Sequence, residues 1–434
     1  MTSAYATFLE SKHRQHGQFG AHVEPGDLHP MLHPWQAEAT AWAIRKGRCA
    51  IFWDCGLGKS FAQIEWATHS ADRSLILAPL SVARQTVREA AKLGRDVRYV
   101  RHSDEVDGPG VWITNYELAD RFDWSVFGAV VADESSILKN VDGKTRRMLT
   151  DRARDVPLRL ACTATPAPND VAELTNHAEW LGIMSRAEML AAYFVNDEKE
   201  WRLKGHAAEP MFRWMSSWAH TLRSPADMGY PEDGYRLPDL SIVSQVVDCD
   251  VDAPEGQLFA ADLGGVGGRI AVRRQTVIPR VDRAAELTDD GNQWIVWCGL
   301  NDEASLAARL IDGAVNVEGS WSPDAKAQAL EAFQDKEIRV LVTKPSIAGH
   351  GMNFQNCSRM AFVGLSDSYE SYYQAIRRCW RYGQTMPVTA HIVVSGLESQ
   401  IVDNVRRKER QAAHATAALI RHTHLQEEPI SAHR

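Results

Sequence analysis

The sequence predicts two tandem α/β domains, each a mostly parallel sheet flanked by helices. Three observations carry this expectation. The chain has 434 residues, more than one ordinary hydrophobic core encloses. Short uninterrupted apolar runs alternate with helical segments in both halves, the pattern of strands buried on both faces. A Gly-Lys-Ser turn stands where one of those runs ends and a helix begins, and open α/β sheets bind ligands at the carboxyl ends of their strands.

In the first half the runs are AIFWD (Ala50 to Asp54), SLILAPL (Ser74 to Leu80), VWITNY (Val111 to Tyr116), AVVADE (Ala129 to Glu134) and LRLACTA (Leu158 to Ala164). FAQIEWA and VARQTVREAAKLG supply helices between them. Periodicity fades from about Trp180 to Asp250, and PADMGYPEDGYRLPDL has the Pro, Gly and Asp content of a connection. Alternation resumes with QWIVWCG, AVNVEG, IRVLVTK, RMAFVG and VTAHIVV. The expected layout is an N-terminal extension (residues 1–30), a first domain (31–230), a linker (231–250), a second domain (251–420) and a tail (421–434). GGVGG (Gly264 to Gly268) lacks both a preceding strand and a following Lys-Ser/Thr, so it reads as a flexible loop.

Composition narrows the class. A hydrophobic fraction of 44% and a charged fraction of 24% are those of a soluble globular protein. No stretch is long and apolar enough to span a membrane, and the N-terminus has no apolar leader segment. A cytoplasmic location, in a bacterium or a phage-infected host, is expected. The seven cysteines are scattered and never spaced as CxxC, which argues against a zinc site or a disulfide framework. A net charge of −8 does not announce a nucleic-acid binder, but a motor needs only a local basic groove. Arg377 to Arg410 is such a basic stretch, which taken alone reads as a solvated helix face.

Two motifs carry chemistry. In DCGLGKS (Asp54 to Ser60) the backbone N–H groups of Gly56, Leu57 and Gly58 can cradle phosphates, and the helix N-terminus adds a favourable dipole. Lys59 would reach the β- and γ-phosphates and Ser60 would hold Mg²⁺. Trp53 stands where the full phosphate-loop pattern has Gly. In AVVADESS the pair Asp133-Glu134 ends an apolar strand. Asp133 would position Mg²⁺ and Glu134 would polarise an attacking water.

DCGLGKS, VVADESSILKN, TATPAPND, VTKPSIAGHGMNFQNC and QAIRRCWRYGQT stand in the order of the superfamily 2 helicase motifs. The chain resembles the Swi/Snf-type branch, and TATPAPNDVAELTNHAEWLGIM and LRSPADMGY resemble the compact DEAD/DEAH-like helicases of phages and prophages. The resemblance runs from about Leu32 to about Val394. It implies two RecA-like domains with ATP and Mg²⁺ in the cleft between them. It also implies that Gln36 reads the adenine edge, that Phe19 stacks on adenine, and that Gly351 approaches the nucleotide. Thr163 and Thr165 would couple hydrolysis to movement.

Gln374, Arg378 and Arg381 match the family's last motif. Arg378 and Arg381, three apart, would share a helix face and act as arginine fingers, while Arg377 falls off the motif. Pro79, Ser81, Thr114, Asn115, Thr343 and Asn353 match positions that touch a phosphate backbone. Such contacts carry no sequence information, so the implied partner is nucleic acid without sequence preference, DNA favoured over RNA. The family often has His or Ala after Asp-Glu, and here Ser135 and Ser136 follow.

The expected function is an ATP-dependent translocase or helicase. The alternative is the motor subunit of a restriction, anti-phage or replication complex, active only with a protein partner. Lys59, Asp133, Glu134, Arg378 and Arg381 speak against a clamp that does not hydrolyse, and no separate metal-carboxylate cluster suggests a nuclease.

Overall fold

The apolar runs become the inner strands of two separate sheets in the computed structural model, which describes residues 17–140, 143–197, 201–249, 273–348, 353–366 and 368–423. The chain divides into two units, one through Glu232 together with the segment from Arg410, the other Asp233–Glu409.

The strands of the first unit's main sheet are β1 (Arg48–Trp53), β2 (Arg73–Ala78), β3 (Val97–Tyr99), β4 (Gly110–Asn115), β5 (Ala129–Asp133), β6 (Leu158–Cys162) and β9 (Ala219–Leu222), and β7 (Phe194–Asn196) pairs with β8 (Trp201–Leu203) in a small antiparallel ribbon. The main sheet is wholly parallel, in the order β3-β4-β2-β5-β6-β1-β9. Parallel neighbours need crossovers. The helices that follow one another along this unit are α1 (Pro34–Lys46), α2 (Lys59–Ser70), α3 (Leu80–Lys92), α4 (Lys144–Ala153), α5 (Leu174–Trp180), α6 (Arg186–Tyr193) and α7 (Ala208–Met215). Gly47, at φ 67°, ends α1 in the left-handed conformation that glycine takes without a Cβ penalty. Trp112, Trp180 and Trp218 fill the core.

In the second unit β10 (Leu240–Val247), β11 (Trp294–Trp297), β12 (Ala314–Asn316), β13 (Val340–Thr343), β14 (Arg359–Phe362) and β15 (Val388–Ser395) form a parallel sheet in the order β10-β15-β14-β11-β13-β12. Its helices are α8 (Val277–Thr288), α9 (Asn301–Leu310), α10 (Pro323–Gln334), α11 (Pro345–Ala348), α12 (Tyr369–Cys379) and the first part of α13 (Ser399–Thr423). Ala415, Ala418 and Leu419, on the last part of α13, belong to the first unit's core. Below the strand ends of the second sheet, the fully buried Arg280 meets Glu303 at 2.8 Å and Glu398 at 3.4 Å. Glu303 also accepts the backbone N–H groups of Gly299 and Leu300. Buried charges persist only when paired in this way.

The parallel α/β architecture expected of both halves is present. Four strands, β7 to β10, lie where sequence periodicity fades, and two of them join the main sheets. The stretch expected as linker contains β10, paired over its whole length with β15, and β9 adds an edge strand beside β1. GGVGG lies outside the described residues.

Candidate nucleotide site

Strands β5, β6 and β1 are neighbours and run parallel, so their carboxyl ends meet at one edge of the first sheet. Those ends carry Asp133-Glu134, the Thr163–Thr165 turn and the loop Asp54–Gly58. Thr163 donates its backbone N–H to the Ile51 carbonyl at 3.2 Å, closing the seam between β6 and β1.

The loop is shaped by Gly56 (φ 88°) and Gly58 (φ 77°). A β-carbon at Gly58 would stand 2.3 Å from the Gln36 amide nitrogen and displace it, and the positive φ strains any other residue there. Gln36 is itself buried. Its Oε1 accepts the His33 backbone N–H at 2.8 Å and its Nε2 donates to the Leu57 carbonyl at 2.9 Å, so it bridges the start of α1 to the loop. The Lys59 ammonium donates to the Trp53 and Asp54 carbonyls, at 2.9 and 3.2 Å. Trp53 turns inward instead of crowding the loop. Its ring packs on Trp35 with centroids 5.4 Å apart, and its Nε1 donates to His220 Nδ1 at 3.1 Å. That explains how tryptophan stands where the pattern has glycine.

Asp133 is buried, and burial pushes its carboxyl up to about 7, with the Glu134 charge adding to the shift. Gln63 donates to Asp133 Oδ2 at 2.9 Å, and the Glu134 N–H to Oδ1 at 3.0 Å. The Tyr116 hydroxyl donates to the Asp133 carbonyl at 2.7 Å. Glu134 adopts φ 54°, ψ 51°, one of two non-glycine residues with positive φ among the described residues. That conformation costs about 1–2 kcal/mol, and strain of this kind collects at functional sites. Its Oε2 is buried without a hydrogen-bond partner, as is the Thr165 hydroxyl, while the Thr165 N–H is held by Thr163 Oγ1 at 3.1 Å.

A nucleoside triphosphate with Mg²⁺ fits this donor set. The loop N–H groups and Lys59 suit its phosphates. A cation held by Ser60 and Asp133 would stabilise the charge that burial disfavours on Asp133. The orphaned Glu134 oxygen suits a hydrolytic water.

Of the remaining candidates, Pro79 begins α3 and Ser81 is exposed on its first turn. Thr114 and Asn115 close β4 and are buried, and Asn115 Oδ1 accepts the Tyr99 hydroxyl at 2.7 Å. Thr343 is fully buried and its hydroxyl already donates to the Val317 carbonyl at 3.1 Å. Its neighbour Lys344 instead lines a cleft of about 390 Å³ with Asn301, Asn316, Gly319 and Ser320. Asn353 Oδ1 accepts the Arg381 guanidinium. Phe19 lies against Arg48, 5.3 Å from ring centroid to guanidinium, at the amino end of β1. Five strand steps, about 17 Å, separate that end from the phosphate loop, so Phe19 is not placed to stack on adenine. Gly351 lies outside the described residues.

Gln374 and Arg378 sit buried on α12. The helix ends at Cys379, so Arg381 falls in the turn beyond it and does not share a helix face with Arg378. Arg377 is no solvated cation either. It is 4% exposed, with its guanidinium over the Trp380 and Tyr373 rings at 4.9 and 5.9 Å. Gln63, Tyr116 and His177, which adjoins Ser135, escaped sequence reasoning. Only Gln63 left a signal, three residues after Ser60 and so on the same face of α2.

Among the described residues no helix is long and apolar enough to cross a membrane. Over 98 residues the chain is 30% identical to the bifunctional helicase and thymine dioxygenase JBP2 of Leishmania braziliensis and to that of Leishmania infantum, an overlap of 22% of this chain and 9% of each relative. The chain thus spans less than a tenth of the length of those relatives. The Sulfolobus solfataricus SWI2/SNF2 ATPase core, solved in complex with dsDNA, aligns over 94% of this chain and 97% of its own with 19% identity and a TM-score of 0.45. Residues 278–383, within the second unit, match the helicase conserved C-terminal domain.

Proposed function

We propose that this chain is an ATP-hydrolysing motor that moves along nucleic acid, DNA in preference to RNA, by gripping the phosphate backbone. The observation that carries the reading is the meeting of the phosphate loop, the threonine turn and Asp133-Glu134 at three adjacent parallel strand ends. In this reading Lys59 and the loop amides bind and orient the β- and γ-phosphates. Bound Mg²⁺ supplies charge neutralisation at those oxygens. Glu134 orients the water that attacks in line, and Arg378 and Arg381 neutralise charge on the transferring group. Thr163 and Thr165 couple hydrolysis to movement. The preference for DNA rests on the resemblance of the motifs to the Swi/Snf-type branch.

The test is ATP turnover by the purified protein with no polymer, single-stranded DNA, duplex DNA and RNA. Turnover that DNA stimulates and Lys59→Ala abolishes is expected. Turnover that no polymer stimulates, or no turnover by the isolated protein, would overturn the reading and favour a motor active only with a protein partner.

A further inference from the structure

We propose that His177 is a positioning residue for Glu134, acting through Ser135 to hold the turn on which the hydrolytic carboxylate stands. The proposal rests on the function proposed above. Five residues, Ser135–Lys139, form a 3₁₀ turn directly after Glu134. Helix α5 holds that turn at both ends with consecutive side chains. His177 Nε2 lies 3.2 Å from the Ser135 hydroxyl. Asn176 Nδ2 donates to the Leu138 carbonyl at 2.9 Å and faces that of Lys139 at 3.3 Å.

The other side of the imidazole meets Phe52 edge-on, with centroids 5.3 Å apart and planes at 83°. Phe52 belongs to β1, one residue before the strand passes into the phosphate loop. The ring is thus wedged between the strand that carries the loop and the turn that carries Glu134. One short helix therefore touches both the strand that leads into the phosphate loop and the turn that follows Glu134.

A purely structural role is a poor account of this imidazole. Leu174, Ala178 and Trp180 already bury α5, and an apolar side chain would fill the same space without desolvating two ring nitrogens. Burial drives the imidazole down to about 4, so it stays neutral and can serve as a hydrogen-bond partner to Ser135. What the polar contact adds is a fixed start for the turn. Glu134 holds a left-handed conformation that any loosening of Ser135 would relax.

The experiment measures kcat, ATP KM and thermal midpoint for His177→Leu, His177→Gln and Ser135→Ala, beside wild type and Lys59→Ala. His177→Leu and Ser135→Ala should each lower kcat about tenfold, one hydrogen bond's worth of orientation, with ATP KM and melting little changed. His177→Gln, whose amide reaches the same point, should recover most of kcat. The double change His177→Leu with Ser135→Ala should be no worse than either alone. Should His177→Leu not fold, Ser135→Ala removes only a hydroxyl and must still lower kcat. Wild-type kcat in Ser135→Ala, or equal loss of kcat and melting in both His177 variants, overturns the assignment of His177 while leaving the motor reading intact. Wild-type protein no more active than Lys59→Ala overturns both.

Discussion

Gln63 Nε2 stands 2.9 Å from Asp133 Oδ2, so the helix that opens on the phosphate loop is pinned to the strand that carries the acidic pair. Asp133 is buried among groups of which only Gln63, the Glu134 N–H and Lys59 favour its charge. Any nucleotide-driven shift of α2 is therefore felt at Asp133. Gln63→Leu should keep the fold, since it replaces a buried amide by a side chain of similar size. It should lower ATP turnover about tenfold or more. A magnesium titration of turnover would show the variant's half-saturation moved to higher concentration. An unchanged titration curve would deny Gln63 a part in holding Asp133.

Lys59→Ala and Glu134→Gln should both abolish hydrolysis, for different reasons. Lys59 faces the loop carbonyls and is placed to bind phosphate, so its loss weakens nucleotide binding. The orphaned Glu134 oxygen is placed for water, so Glu134→Gln should leave ATP bound. Loss of one activating group costs about 10²-fold in rate. Nucleotide binding followed by fluorescence, beside turnover, separates the two. Near wild-type turnover in either variant would remove the residue from the site.

The three arginines of the last motif should separate. Arg378→Ala and Arg381→Ala should cut turnover with little loss of ATP affinity. Arg377→Ala removes a guanidinium packed on Trp380 and Tyr373, a contact worth about 1–2 kcal/mol when desolvated. It should lower the melting temperature first and activity only through stability. Full melting stability with lost turnover in Arg377→Ala would show that the motif has been read one residue out of register.

Glu65 is a test of stability away from the chemistry. Burial alone would raise its carboxyl, but the His69 imidazole at 3.5 Å and hydrogen bonds from Arg95 and the His29 N–H outweigh burial and hold it at about 2. A depressed carboxylate contributes stability above its unfolded value, and the contribution is lost as pH falls through the folded one. Glu65→Gln should destabilise the protein by about 2 kcal/mol at pH 7. The gap to wild type should close between the ordinary glutamate value of 4.5 and about 2. Thermal melts at pH 7, 5 and 3 follow it, and a gap that widens on acidification would be the wrong sign.

What could be read from sequence depended on how local the signal is. The phosphate loop and Asp133-Glu134 each follow an apolar strand within a few residues, so period and motif agree. Strand β10 was hidden because it is a half-exposed edge strand with no fully buried residue, and Pro, Gly and Asp crowd the chain before it. The end of α12 at Cys379 could not be read from the three-residue spacing of Arg378 and Arg381, which presumes a helix through both. Burial of Arg377 was legible in part, since Tyr373 lies four before it on its own helix face, while Trp380 stands just past the helix end. The contact between Ser135 and His177 spans 42 residues, and no local pattern announces it.

The track gives the last prediction. Ser81 is exposed on the first turn of α3. In the second unit the cleft of about 390 Å³ is lined by Asn301, Gly319, Ser320 and Lys344, with the Glu318 carboxylate beside them. The small polar side chains, glycine backbone and lysine suit phosphate oxygens on the side away from Glu318 and offer little to a base edge. Thr343 is sealed against Val317, while the half-buried Lys344 lines the cleft. Binding should tolerate any sequence and weaken steeply with salt as counterions are released. The net charge of −8 makes affinity without nucleotide modest, and DNA should raise ATP turnover. Lys344→Ala should weaken binding equally on all sequences and reduce the salt slope by about 1. Thr343→Val should leave binding nearly unchanged, because its hydroxyl faces the Val317 carbonyl. Salt titrations of both variants on several unrelated single strands and duplexes decide the matter. A strong preference for one sequence, or a larger loss from Thr343→Val than from Lys344→Ala, would contradict the backbone-gripping reading.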